Sequence, residues 1–141
     1  MARSAGIIGE RYTPEQVITR YFKDATATEH PAHRFVTKDT GYGDGYVLND
    51  AISVATFNEG VTLEKVTTTS TDLEKPVAVQ TAGIAMVEME GSFTYGDQVQ
   101  CETNTGKGAV GSSTGYVEGF VLKSGNDGDI APVLLNRYYH A

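Results

Sequence analysis

The feature that most constrains this chain is a series of short segments with a period of two, separated by turns rich in Gly, Asn and Asp. From residue 34 onward apolar and threonine residues alternate with polar ones, and no helical period recurs. The candidate strands are residues 34–38, 44–48, 51–57, 61–69, 77–81, 85–89, 99–101, 116–122 and 130–135. Several short strands at near-regular spacing are typical of closed or stacked antiparallel sheets. The sequence therefore predicts an all-β fold, either a small β-barrel or a sandwich.

One turn, CETNTGKGAV at residues 101–110, carries a Gly-Lys pair like that of a phosphate-binding loop. A Walker A motif needs a Gly five residues before that pair and a Ser or Thr after it. Cys101 and Gly108 occupy those positions. A phosphate loop must also lead into a helix, whereas this segment lies between two strand patterns. We therefore predict a tight turn here and no nucleotide site.

The first forty residues follow a different pattern. Thr13 and Pro14 form a typical helix start, with Gln16 placed to complete a capping box. Val17, Ile18, Tyr21 and Phe22 then fall on one helical stripe, which predicts a short amphipathic helix at about residues 14–22. Residues 23–33 have no period and are expected to run extended. We predict an N-terminal arm, residues 1–40, followed by a β-barrel domain, residues 41–141.

Charge and cysteine content exclude several partners. The formal net charge is −7, and the eleven Lys and Arg residues are scattered, so we expect no nucleic acid partner. No apolar stretch approaches the length of a membrane span or a signal peptide, so we expect no membrane partner and a soluble, non-exported chain. The single cysteine, Cys101, cannot form an internal disulfide and is expected to be a buried apolar residue.

Candidate chemical sites in the sequence are each incomplete. His30-Pro31-Ala32-His33 has the spacing of a metal pair, but a zinc site needs further ligands. The segment NDGD at residues 126–129 resembles part of a calcium loop without its downstream Glu. Residues 41–46, GYGDGY, are similar to the sugar-binding turn of trimeric dUTPases, yet neither the phosphate motif nor the Gly-rich tail of those enzymes is present. We predict a non-enzymatic protein with no metal and no cofactor.

A larger part of the chain, from about residue 60 to 138, resembles the small capsid decoration proteins of tailed bacteriophages, also called cement or head-stabilising proteins. The segments that carry the resemblance are VAV (77–79), GIAMV (83–87), GSF (91–93), GDQV (96–99), TGKGAV (105–110), GFVL (119–122) and GNDGDIAPVLL (125–135). The resemblance implies a β-barrel that trimerises on the outer surface of an assembled capsid. It also implies that the barrel bridges major capsid subunits, after synthesis in the host cytoplasm.

Apolar and aromatic residues at the two ends of the chain are the candidates for contact with a capsid or a neighbouring subunit. They are Ile7, Ile8, Tyr12, Val17, Tyr21, Phe22, Tyr138 and Tyr139. These side chains could equally pack onto their own barrel. Residues 116–122 are apolar on both sides, which indicates burial on both faces, by the core and by either a neighbouring subunit or a wrapped loop.

A second hypothesis is a carbohydrate- or receptor-binding module of a virion surface. Tyr42, Tyr46 and Tyr95 lie on Gly-rich loops, where exposed rings could stack on sugars. The same tyrosines could instead cap the barrel. A third hypothesis, a small trimeric hydrolase of the dUTPase type, depends on the incomplete motifs described above.

Overall fold

The structure is a computed structural model that describes residues 15–141. The described residues form strands and turns, with no helix among them. The strands are β1 (Glu15–Lys23), β2 (Glu29–His30), β3 (Phe35–Lys38), β4 (Val47–Leu48), β5 (Asn58–Thr62), β6 (Val66–Thr67), β7 (Glu74–Ala82), β8 (Ile84–Glu90), β9 (Gln98–Cys101), β10 (Gly108–Val110), β11 (Gly115–Val121) and β12 (Ile130–His140). The prediction of an all-β fold is thus confirmed, and of the two predicted architectures, barrel or sandwich, the described residues contain a closed barrel.

The predicted helix at residues 14–22 is wrong, because this segment is the long strand β1. It pairs antiparallel with β7 from Glu15↔Ala82 to Lys23↔Glu74. Ile18 and Phe22 are four residues apart, a spacing that places two side chains on one face of a helix and also on one face of a strand. Pairing with β7 settles the ambiguity, because each residue from Val17 to Lys23 gains a cross-strand neighbour that an isolated helix would lack.

Five strands form a strongly curved sheet, a half-barrel, in the order β1-β7-β5-β3-β4. Its two edges approach each other where the Tyr21 N–H donates to the Gly45 carbonyl at 2.9 Å, next to a bridge between Tyr21 and Tyr46. The short pair β2-β6 adds Val66 to the same interior. The core of this half consists of Phe22, Val36, Val47, Val66, Val77 and Val79, with Ile18 packed against it.

The other five strands form a closed barrel in the order β10-β8-β12-β11-β9, with β10 also paired to β9. Its interior is lined by alternate residues of each strand, such as Ala85, Val87 and Met89 of β8. Phe35 and Val61 of the half-barrel belong to the same buried cluster. The two halves therefore share strand β3, whose Phe35 lies in this cluster and whose Val36 lies in the half-barrel core.

Two strand glycines allow close backbone contact in this architecture. A Cβ on Gly60 would lie 2.0 Å from the Gln80 carbonyl oxygen, and one on Gly119 would lie 2.1 Å from the Leu134 carbonyl oxygen. Real Cβ atoms do not approach a backbone oxygen so closely, so both positions require glycine. Gly119 also follows a register shift between β11 and β12, where two residues of β12, Asn136 and Arg137, lie opposite Glu118 alone.

The division into an arm (residues 1–40) and a barrel (residues 41–141) stays a prediction. Within the described residues, strands from both sides of that boundary pair directly, as in Phe35↔Val61 and Thr37↔Leu48. No helix among residues 15–141 has the length and apolar composition needed to cross a membrane.

Candidate interaction surfaces

The two histidines of the H-x-x-H segment contact different partners. The His30 ring stacks on Phe22 with centroids 3.8 Å apart, and its Nε2 lies 2.8 Å from Asp24 Oδ2. His33 Nδ1 lies 3.1 Å from the Met86 carbonyl oxygen. Among residues 15–141 no group of three or more His, Cys, Asp and Glu side chains is arranged to hold a metal ion. Both histidines therefore have structural contacts that account for them.

The turns that resemble ligand loops are held by their own backbone. Between β9 and β10, Asn104 and Gly106 adopt positive φ, and the Glu102 N–H donates to the Lys107 carbonyl at 2.7 Å. In the segment 126–129, Asp127 accepts a hydrogen bond from the Gly91 N–H and Asp129 accepts one from the Asn126 N–H. These carboxylates cap backbone groups, as side chains of turns commonly do.

Cys101 is buried in the closed barrel, as the sequence predicts. Burial raises the pKa of its thiol, and the carboxylates of Glu118 and Glu102 raise that pKa further. Because the thiolate is the nucleophilic form, a buried thiol with a raised pKa is poorly reactive. Cys101 is a packing residue.

Tyr42 and Tyr46, two of the three candidate sugar-stacking tyrosines, lie together with Tyr21. The Tyr46 ring centroid is 6.2 Å from that of Tyr21 and 6.0 Å from that of Tyr42. Lys23 Nζ lies 5.1 Å from the Tyr42 centroid and 5.8 Å from that of Tyr46, within cation–π range. Tyr95 is exposed on a different turn, between β8 and β9. The structure thus forms a tyrosine cluster from residues 21, 42 and 46.

The predicted contact residues have different environments. Val17, Tyr21, Tyr138 and Tyr139 are exposed. Phe22 is 1% exposed and lies in the core of the half-barrel, so its side chain packs within its own chain, which is the alternative that the sequence left open. Ile7, Ile8 and Tyr12 lie outside the described residues.

Sequence patterns did not indicate the second aromatic group, the aromatic row, which consists of Phe57, Tyr116 and Tyr139. The rings meet edge to face, with centroids 5.9 Å apart for Phe57 and Tyr116 and 5.4 Å apart for Tyr116 and Tyr139. The Arg137 guanidinium lies 4.6 Å from the Phe57 centroid. Phe57 and Tyr139 are exposed. The sequence signal for Phe57 was its place as the one aromatic residue of the segment 51–57, AISVATF.

Beside this row, Arg137 also binds a buried carboxylate. Its Nε donates to Glu118 Oε1 at 2.9 Å, and Asn58 Nδ2 donates to Glu118 Oε2 at 2.8 Å. Burial raises the pKa of Glu118, and the charge of Arg137 and the two hydrogen bonds offset only part of this effect. A buried carboxylate with two good donors is a structural anchor, since removing either partner would leave it unsatisfied.

Phe57 also borders a groove of about 670 Å³ on the half-barrel. The groove is lined by Thr37, Lys38, Thr40, Leu48, Ala51, Thr56, Phe57 and Glu59. Lys38 forms an ion pair with Asp44 at 2.6 Å, and Glu59 forms one with Arg20 at 2.7 Å. Both charged groups in the lining are therefore already neutralised.

The third surface, the barrel face, is the outer side of strands β8, β12 and β11. Ala131 and Val133 of β12 point into the barrel core, so their neighbours Ile130, Pro132 and Leu134 point outward; Ile130 and Leu134 are exposed, and Pro132 is buried between them. The same alternation turns residues of the adjacent strands outward, and Leu134 lies between Ile84 of β8 and Phe120 of β11. The barrel face consists of Ile84, Met86, Phe120, Leu122, Ile130, Pro132, Leu134 and Tyr138.

Comparisons with known proteins identify the fold. No protein-family model matches the chain. No curated protein matches its sequence. Among solved structures, the chain is similar to the crystal structure of the head fiber gp8.5 N base of bacteriophage phi29, with a TM-score of 0.64 and 12% sequence identity. The similarity covers 86% of this chain and 95% of the phi29 chain, so the two share their fold over most of their lengths.

Proposed function

We propose that this chain is a non-enzymatic structural protein of a phage head, which docks on the outer surface of the assembled capsid. The observation that carries the proposal is the fold shared with a phage head fiber base at a TM-score of 0.64. The resemblance of residues 60–138 to capsid decoration proteins supports the same role from the sequence. Fold alone does not determine function, so the proposal needs a binding experiment.

In this proposal the protein acts as a homotrimer that bridges major capsid subunits. Three linked copies that bind together raise avidity by roughly 10² to 10⁴ over one contact. A protein that binds only the assembled shell also stabilises that shell by mass action. Among the contact candidates, Val17, Tyr21, Tyr138 and Tyr139 are exposed. Ile7, Ile8 and Tyr12 are candidates from the sequence alone. The proposed role involves no cofactor, nucleic acid or membrane.

Co-sedimentation with undecorated, expanded capsids from a panel of tailed phages tests the proposal. We expect saturable binding to at least one capsid and greater resistance of that capsid to heat. Tyr139→Ala should weaken binding by at least about tenfold, since interface tyrosines commonly contribute 1–2 kcal/mol or more. Tyr95→Ala is the matched control, because Tyr95 is an exposed tyrosine on a different turn. The absence of binding to every expanded capsid would contradict the proposed function.

The tyrosine cluster favours one second candidate, a carbohydrate- or receptor-binding role on the virion. Tyr21 and Tyr42 are exposed beside Tyr46, and aromatic faces of this kind bind sugar rings. Lys23 already lies over the rings of Tyr42 and Tyr46, which limits the free stacking surface. A glycan array distinguishes the two roles: glycan binding that Tyr42→Ala abolishes, without any capsid binding, would support this alternative.

The hydrolase alternative has less support. Asp44, the acidic residue of the dUTPase-like turn, is exposed and pairs with Lys38 at 2.6 Å. That ion pair and its hydrogen bond lower the pKa of Asp44. Turnover of nucleoside triphosphates by the purified protein would support a hydrolase and contradict a purely structural role.

A further inference from the structure

The barrel face has an unusual composition for the surface of an acidic protein. Its eight side chains are uncharged in a chain whose formal net charge is −7, and the neighbouring outward carboxylates Glu88 and Glu118 are paired with Arg34 and Lys107 and with Arg137. Ile130 is 47% exposed, Leu134 is 42% exposed and Tyr138 is 38% exposed. Phe120 stacks beside Tyr138 with ring centroids 6.3 Å apart, so the apolar surface is continuous from β8 across β12 to β11.

The solvent-exposed area of this face is on the order of 400 Å², when the full surface of each large side chain is taken as roughly 150–250 Å². A patch of this size is in the range in which the largest apolar patch of a monomer commonly marks an interaction site. A subunit in a stable interface contributes about 800 Å². The face would supply about half of that area as an apolar centre, and the surrounding uncharged Gln98 and Asn136 would supply polar rim contacts.

We propose that the barrel face is the surface through which copies of this chain contact one another; this inference rests on the self-association in the proposed function and names its surface. Two copies with the same net charge repel each other least where no unpaired carboxylate enters the contact. Glu88, which lies opposite Ile130 at the border of the face, is already paired with Arg34 at 3.2 Å and with Lys107 at 3.3 Å. Glu88 therefore brings no unpaired carboxylate to this contact.

The shape of the face also suits a second copy. Outer faces of twisted sheets pack on one another at about 10 Å, with side chains interdigitating. The same strand, β12, forms the centre of the face in every copy, so identical faces can meet around a symmetry axis. The sequence left a wrapped loop as the alternative cover for residues 116–122. Residues 54–58 cover the start of that strand, where the Tyr116 N–H donates to the Val54 carbonyl at 2.7 Å and Asn58 binds the buried Glu118. Ile130 and Leu134, on the neighbouring strand β12, stay exposed.

Light scattering on the purified full chain tests this inference. The monomer has a mass of 15.1 kDa, and we expect a mass of two or three copies at about 10–100 µM, a range typical of purified protein samples. Leu134→Glu places a carboxylate at the centre of the contact and should raise the dissociation constant at least about 100-fold. Ile130→Lys should also disrupt the oligomer, although it lowers the net negative charge.

Val110→Glu is the matched control. Val110 is a strand residue of the same barrel with 44% exposure, and its strand β10 is separated from β12 by β8. We expect this variant to keep the mass of the unaltered chain. Far-UV circular dichroism and thermal unfolding of each variant show that it has folded, and Leu134→Met should restore the oligomer where Leu134→Glu has lost it.

Two results would overturn the inference: a monomeric unaltered chain throughout this range, or an oligomer whose mass survives both Leu134→Glu and Ile130→Lys in folded protein. Capsid binding is measured separately. An oligomer that Leu134→Glu dissociates but that binds no capsid would contradict the proposed function and support the barrel face. Capsid binding by a chain that is monomeric would support docking on the capsid and contradict the barrel face as a contact between copies.

Discussion

Glu118 shows how one residue can depart from the pattern of its strand. Residues 116–122 have apolar side chains on both sides, and the sequence predicts a buried strand there. The register shift between Val117 and Gly119 places two residues of β12, Asn136 and Arg137, opposite Glu118. Its carboxylate is buried between Arg137 and Asn58. A charged residue in this position is tolerated because both carboxylate oxygens accept hydrogen bonds.

The raised pKa of Glu118 predicts a specific dependence of stability on pH. The folded chain holds the Glu118 proton more tightly than the unfolded chain, so the contribution to stability is fully present below the unfolded pKa. That contribution is lost as pH rises through the folded pKa. We expect Glu118→Gln to remove this loss, so its melting temperature should improve relative to the unaltered chain as pH rises from about 4, near the unfolded pKa of a Glu.

Glu88→Gln is the control with the opposite sign. Burial pushes the pKa of Glu88 up, but Arg34 and Lys107 outweigh burial and hold that pKa below its usual value. Its contribution is therefore present above the unfolded pKa and is lost as pH falls through the folded pKa. Glu88→Gln should fall behind the unaltered chain as pH rises. Parallel melting curves for the two variants across this range would contradict both assignments.

At the scale of the element, β1 shows why a capped amphipathic pattern was not decisive. The stripe Val17, Ile18, Tyr21 and Phe22 satisfies a helical period, but the strand divides it between two faces. Ile18 and Phe22 contact the half-barrel core, whereas Val17 and Tyr21 are exposed. Spacings of four residues fit both structures, and a partner strand from residues 74–82 makes the difference.

Truncation of neighbouring residues of β1 distinguishes a strand from a helix. Phe22→Ala removes a ring that is fully buried and stacked on His30, and should destabilise the chain by about 3–5 kcal/mol. Tyr21→Ala removes an exposed ring with one aromatic neighbour and should cost about 1 kcal/mol or less. Chemical denaturation of both variants measures the difference. Equal losses would indicate that both side chains share one buried face, as in the predicted helix.

At the scale of the whole molecule, the two halves are joined by shared strands. Val36 of β3 lies in the half-barrel core, and its neighbour Phe35 lies in the cluster of the closed barrel. Val61 and Val79, on the paired strands β5 and β7, divide in the same way. Residues 15–38 therefore contribute to a sheet that both cores use.

This arrangement predicts different outcomes for two N-terminal deletions. A chain that lacks residues 1–14 keeps every described strand and should still unfold cooperatively. A chain that lacks residues 1–33 loses β1 and β2, including Phe22 and His30, and should lose cooperative unfolding. Calorimetry measures both transitions. A cooperative transition near the original temperature after the longer deletion would show that residues 15–33 are a dispensable arm.

The local sequence determined the all-β class, most turns and the buried positions of the barrel strands. Alternation with a period of two and glycines in turns are properties of neighbouring residues, so they can be seen without the fold. The burial of Cys101 and the turn at residues 101–110 followed from the same patterns. Local patterns could not show that Tyr138 lies on the barrel face and Tyr139 in the aromatic row.

Only the tertiary structure decided which segments pair and which side chains meet across the chain. Residues 15–23 form strand β1 because they pair with β7, which lies about sixty residues later in the chain. The aromatic row joins Phe57 to Tyr116 and Tyr139, and the barrel face joins Ile84 to Leu134 and Phe120, through contacts between distant segments. Such contacts depend on sheet order and register, which local periodicity does not encode.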